Sequence, residues 1–92
     1  MNLPEQIIYQ KALEKFGHSS QILMSIQEMS ELTKELTNFL IGRLERIEDI
    51  PGEIADVEIM LNQLKLIFDC GNIVKEKKEF KLKRLEGLIN NG

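Results

Sequence analysis

Apolar residues recur along this chain at intervals of three and four, the spacing of helices that turn one face inward. Ile7, Ile8, Ala12, Leu13 and Phe16 supply such a face to a first helix. Pro4 suits its first turn and Gly17 ends it. A second helix runs from a cap at Ser19 or Ser20 to about Leu40 or Ile41, with the stripe Ile22, Ile26, Met29, Leu36 and Leu40, and Gly42 marks a break. The charged stretch from Arg43 to Ile50 predicts a loop. Asp49 and Pro51 start a third helix that ends near Asp69 to Gly71. Asn72 caps a fourth, which carries Ile73, Val74, Phe80, Leu85, Leu88 and Ile89. The pattern predicts an all-α fold, a single four-helix bundle-like domain over residues 1–92. The wide apolar coverage of the second and third helices exceeds what one small bundle covers, so a homodimer, or two dimers paired into a tetramer, is expected.

Four acids break the pattern. Glu28 and Glu31 lie three apart in the second helix, and Glu53 and Asp56 lie three apart in the third. Such neighbours share a helix face, where like charges repel. At about 100° per residue, Glu53 points along the line of Val57, Met60, Leu64 and Ile67, and Asp56 points between Ile59 and Met60. Glu58, Asn62, Lys65 and Asp69 carry the water-facing side. Glu28 and Glu31 sit beside the second helix's stripe, next to Met24, Leu32 and Phe39. A carboxylate turned toward a core is costly unless it is paired or binds a metal. Four carboxylates converging from two antiparallel helices make the hard oxygen site that Mg²⁺ or Mn²⁺ takes. Ion pairing with the lysine-rich tail is the structural alternative.

Composition bounds the class. The chain has 92 residues, 42% hydrophobic and 29% charged, as a small globular domain has. No apolar run approaches the roughly 18 residues of a membrane span, and the start Met1-Asn2-Leu3-Pro4-Glu5 lacks the blocks of a signal peptide. The lone cysteine, Cys70, excludes an internal disulfide framework and fits a reducing cytoplasm. Residues 1–74 hold twelve acids and six bases, and residues 75–92 hold three acids and six bases. So acidic a body argues against broad nucleic-acid binding. The tail cations, Lys75, Lys77, Lys78, Lys81, Lys83 and Arg84, are a reservoir for an anionic ligand.

The order Glu28-x-x-Glu31, twenty-one intervening residues, then Glu53-x-x-Asp56 resembles the MazG-like all-α nucleoside triphosphate pyrophosphohydrolases, in particular their compact single-domain members. Lys15-Phe16-Gly17 before Gln21, the run Gln27 to Lys34, the run Glu53 to Leu61, and Lys81-Leu82-Lys83-Arg84-Leu85 extend the likeness from about residue 10 to residue 88. Many relatives have Trp where this chain has Phe16, and Glu where it has Gly52. The resemblance implies Mg²⁺-dependent hydrolysis between the α- and β-phosphates of a nucleoside triphosphate, giving a monophosphate and pyrophosphate. It implies Glu28, Glu31, Glu53 and Asp56 as metal ligands, with one glutamate as general base. Lys34, Lys81 and Arg84 are candidates for the outer phosphates, the last two from a neighbouring subunit. Gln21 is a candidate for the base or sugar, or for an interhelical hydrogen bond. Two alternatives stand beside this reading. One is a non-catalytic helical homodimer that binds a partner protein, its acids paired with lysines. The other is a related phosphohydrolase acting on a nucleotide-like metabolite.

Overall fold

A computed structural model describes residues 3–91; Met1 and Asn2, which open the stretch read above for a signal peptide, lie outside them, as does Gly92. Four helices in chain order, α1 Glu5–Phe16, α2 His18–Leu40, α3 Asp49–Ile67 and α4 Gly71–Asn91, account for nearly all of it, with no strand among the described residues. No helix among them is long and apolar enough to cross a membrane.

Three helix starts differ from the expectation, each by a turn or less. Pro4 is the N-cap of α1, one position before the helix proper. Gly17 stands alone between α1 and α2 at φ 88° and ψ 156°, a conformation essentially reserved for glycine. Its use reverses the chain in one residue, so Ser19 and Ser20 fall inside the first turn of α2 and do not cap it. Asn72 likewise lies inside α4, because the turn closes through Asp69 at φ 47° and the Val74 amide already bonds the Cys70 carbonyl. Aspartate tolerates that left-handed geometry better than most residues.

The framework is the antiparallel pair α2 and α3, with α1 laid across both. Inside, Leu13 and Met60 are the buried apolar residues, and Gln21, Ser25 and Gln63 are buried with them. Gln21 Nε2 donates to Gln63 Oε1 at 2.7 Å, and the Ser25 hydroxyl donates to the Gln21 carbonyl at 2.8 Å. The expected inward line of α3 holds: Met60 is buried, and Glu53, Val57, Leu64 and Ile67 are half-buried. Asn62 and Lys65 are half-buried rather than fully wet, because α1 covers that side and Tyr9 reaches Asn62 at 3.4 Å.

α2 corrects the projection in one respect. The line it turns to α3 is the mixed one, Gln21, Ser25, Glu28, Leu32 and Glu35, while Ile26, Met29, Leu36 and Leu40 of the apolar stripe face outward. α4 packs against no helix except α3, near their junction, and buries no residue. The Cα radius of gyration, 16.3 Å, exceeds the about 12 Å of a compact chain this long.

Breaking the buried amide pair tests which contact sets the α2–α3 packing. Gln63→Ala strands the Gln21 amide and is expected to lower the urea-unfolding free energy by about 1–3 kcal/mol. Replacing Gln21 and Gln63 together by leucine removes both polar groups and should cost less than that single change.

Candidate metal centre

The amide pair fixes where the carboxylates meet. Seven residues after Gln21 on α2 comes Glu28, and seven before Gln63 on α3 comes Asp56. A seven-residue step is two helical turns, about 10 Å, so in antiparallel helices the amide bond at one level dictates Glu28 opposite Asp56 at the next. Glu53, one turn from Asp56 on the same face, joins them. A carboxylate oxygen from each of Glu28, Glu53 and Asp56 lies within 4.8 Å of the other two. Glu28 and Glu53 are half-buried and Asp56 is exposed, so the group is open to solvent on one side.

Glu31 is exposed on α2 and outside this trio. It stands near enough to act on it electrostatically. Partial burial, and then the charges of Asp56, Glu28, Glu31 and Glu35, hold the Glu53 carboxyl above the usual range of a glutamate. Among the described residues no lysine or arginine forms an ion pair with any of these acids; the ion pairs present join Arg46 to Glu48 and Asp49 in the loop before α3 and at its start. The arrangement is a concentration of negative charge with no protein cation in contact.

The donor set fits a hard divalent cation. Oxygens on opposite sides of a Mg²⁺ stand about 4.2 Å apart, so three oxygens within 4.8 Å enclose one after small side-chain rotations. No histidine or cysteine is in the group, which favours Mg²⁺ or Mn²⁺ over softer metals.

The other sequence candidates fall in three places. Gln21 is held by Gln63. Lys34 lines a cleft of about 300 Å³ beside Glu35, Asn38, Arg43, Arg46 and Asp49, at the loop end of α2 and α3. Lys81 and Arg84 are on α4, which touches neither α2 nor α1, so one chain does not bring them to the acids. Sequence reasoning missed Glu35 and Gln63. Their signal was the seven-residue step, Gln21 to Glu28 to Glu35 on one helix and Asp56 to Gln63 on the other. A cleft of about 600 Å³, lined by Tyr9, Asn62, Lys65, Asp69 and Asn72 among others, lies on the opposite side of α3. Comparison with known protein families, with curated proteins and with solved structures gives no match.

A raised carboxyl pKa in the folded state means that the fold binds a proton more readily than the unfolded chain. Its contribution favours folding below the ordinary glutamate pKa and is lost as pH rises through the folded value. In chelator at pH 7, Glu53→Gln should therefore melt above the wild type. That advantage should shrink as pH falls toward the ordinary glutamate range. Parallel melting curves at all pH values would refute the assignment.

Proposed function

We propose that this protein is a Mg²⁺-dependent phosphohydrolase that cleaves nucleoside triphosphates between the α- and β-phosphates, works as a homo-oligomer and resembles the MazG-like enzymes in its acid pattern. The observation that carries the reading is the convergence of Glu28, Glu53 and Asp56 from two helices with no protein cation against them. A partner-binding module would have no use for repulsion at the centre of its main helix pair.

In this reading Glu28, Glu53 and Asp56 hold the cation, and Glu31, one turn along α2, completes the acidic set. The chemistry a bound Mg²⁺ supplies is neutralisation of phosphate-oxygen charge, the main demand of phosphoryl transfer. The protein's own work is positioning. A carboxylate of the set accepts the proton of the attacking water, which adds to the α-phosphorus as the bond to the bridging oxygen breaks and pyrophosphate leaves. Lys34 and its neighbour Arg43, in the cleft at the loop end, take the outer phosphates. Lys81 and Arg84 reach a site only in another copy. Gln21, bonded to Gln63, holds the two acid-bearing helices in register rather than touching the base.

Release of pyrophosphate from a panel of triphosphates, with Mg²⁺ and with chelator, is the direct test. Glu53→Gln keeps size and removes a charge and a ligand, and should lower the rate at least about 100-fold. Glu58→Gln, exposed on the far side of α3, should be nearly silent. Full activity in both variants refutes the site. Phosphate release from a nucleotide-like metabolite, with all triphosphates inert, transfers the same residues to a different substrate.

Mg²⁺ or Mn²⁺ at millimolar concentration should also raise the melting temperature of the free protein, since the ligands meet only when α2 and α3 are packed. Chelator should reverse the shift, and Glu53→Gln should reduce it.

A further inference from the structure

We infer that α4 lays one face on an anionic lipid surface, with Val74, Leu82, Leu85, Leu88 and Ile89 in the interface and lysines on the head-group phosphates. At about 100° per residue, Val74, Leu82, Leu88 and Ile89 all point within about 60° of Leu85. Lys75, Lys77, Lys78 and Lys81 point within about 80° of the same line, whereas Glu76, Glu79 and Glu86 point about 100° or more away from it. The charges are thus sorted by sign around the helix: cations flank the apolar row, and the acids keep to the other side. The structure shows the same sorting. Val74, Leu82 and Leu85 share one shallow apolar depression with Lys77, Lys78 and Lys81, and no acid lines it. The five apolar side chains are 37% to 70% exposed, and α4 buries none of its residues. Among the described residues, none of the four lysines is ion-paired.

Charge complementarity selects the occupant. Residues 75–92 hold six bases and three acids, whereas residues 1–74 hold six bases and twelve acids, so the net basic surface is concentrated on this one helix. Its complement is an anionic surface with an apolar layer just beneath, which acidic phospholipids present. There the stems of Lys78 and Lys81 lie along the apolar row while their ammonium groups reach head-group phosphates. A protein groove deep enough to cover the row would take those two ammonium groups out of water. Two copies of the face placed together would set lysine against lysine. Nucleic acid would meet the lysines and leave the leucines uncovered. The attachment also suits a flat surface: α4 contacts only α3, near their junction, so the helix lies down while the acidic body stands off. It rests on the bilayer without spanning it, since no helix among the described residues is long and apolar enough to cross.

Vesicles of phosphatidylserine mixed with phosphatidylcholine, and vesicles of phosphatidylcholine alone, test this with the full chain. At about 0.1 M salt the protein should sediment with the anionic vesicles and not with the neutral ones, and added salt should release it. Amide exchange in residues 74–89 should slow on binding. Lys75→Gln with Lys78→Gln should weaken binding about 25-fold, at about fivefold per lysine near an anionic surface. Lys11→Gln with Lys83→Gln removes the same charge from α1 and from the far side of α4, and should weaken binding much less. Leu85→Gln with Leu88→Gln should weaken it at least about tenfold by removing apolar area. Should the leucine variant lose helicity, the lysine pairs, which change only exposed positions, still decide. A wild type that ignores anionic vesicles, or binds both lipids equally, overturns the inference, as does equal loss in the two lysine pairs. Retention on duplex DNA without vesicle binding assigns the lysines to nucleic acid and overturns it too. So does slow exchange along α4 in an oligomer without lipid, which would mean that a second copy covers the face. None of these readouts depends on the acid cluster or on Mg²⁺, so the hydrolase reading stands or falls by its own assay.

Discussion

One buried amide pair, Gln21 on α2 and Gln63 on α3, sets how those two helices lie against each other, and the cluster of acids is placed by that register. Hydrophobic contact does not specify register as tightly, because a leucine meets its neighbours nearly as well after a shift along the axis. An amide pair at 2.7 Å in a nearly dry position does specify it, since a slipped helix leaves a donor and an acceptor stranded. The carboxylates sit two turns away on both helices, so the same bond that aligns the helices brings Glu28 to Asp56. The repulsion among the acids works against this packing, and the amide pair and the neighbouring Met60 and Leu13 hold it.

Much of this was legible in the chain. The four helices and their order follow from apolar spacing and from Pro51 and the glycines at 17 and 42. Glu53 was readable as a half-buried acid because it aligns with Val57, Met60 and Leu64, and Glu58 as an ordinary wet one. Other features were not legible, for identifiable reasons. A stripe of apolar residues shows that a helix has something to bury but not what buries it, so the pattern points the stripe of α2 inward, whereas the mixed line holding Gln21, Ser25 and Glu28 faces α3. Capping was misplaced because serine and asparagine are good caps in general, whereas the chain turns on Gly17 and Asp69 and needs no side-chain cap. The spacing ranks Glu31 equally with the other three acids, whereas at its exposed position it acts on Glu53 through charge.

α2 presents three different sides. One side holds the amide and the acids toward α3, one holds the outward-facing Ile26, Met29, Leu36 and Leu40, and the rest meets water through residues such as Gln27 and Lys34. The acidic and the apolar sides are separated by about a quarter turn of the helix rather than by distance along the chain.

α4 has a consequence of another kind. It is 21 residues long, buries nothing and is attached at one end only. Isolated helices of this length are near the balance between helix and coil, with nucleation costly and each added residue nearly neutral. Of the four helices, α4 is therefore the one expected to open most readily to solvent exchange. Its persistence as a helix in the cell is a property of what it rests on, so its exchange rate is a gauge of the company that the protein keeps.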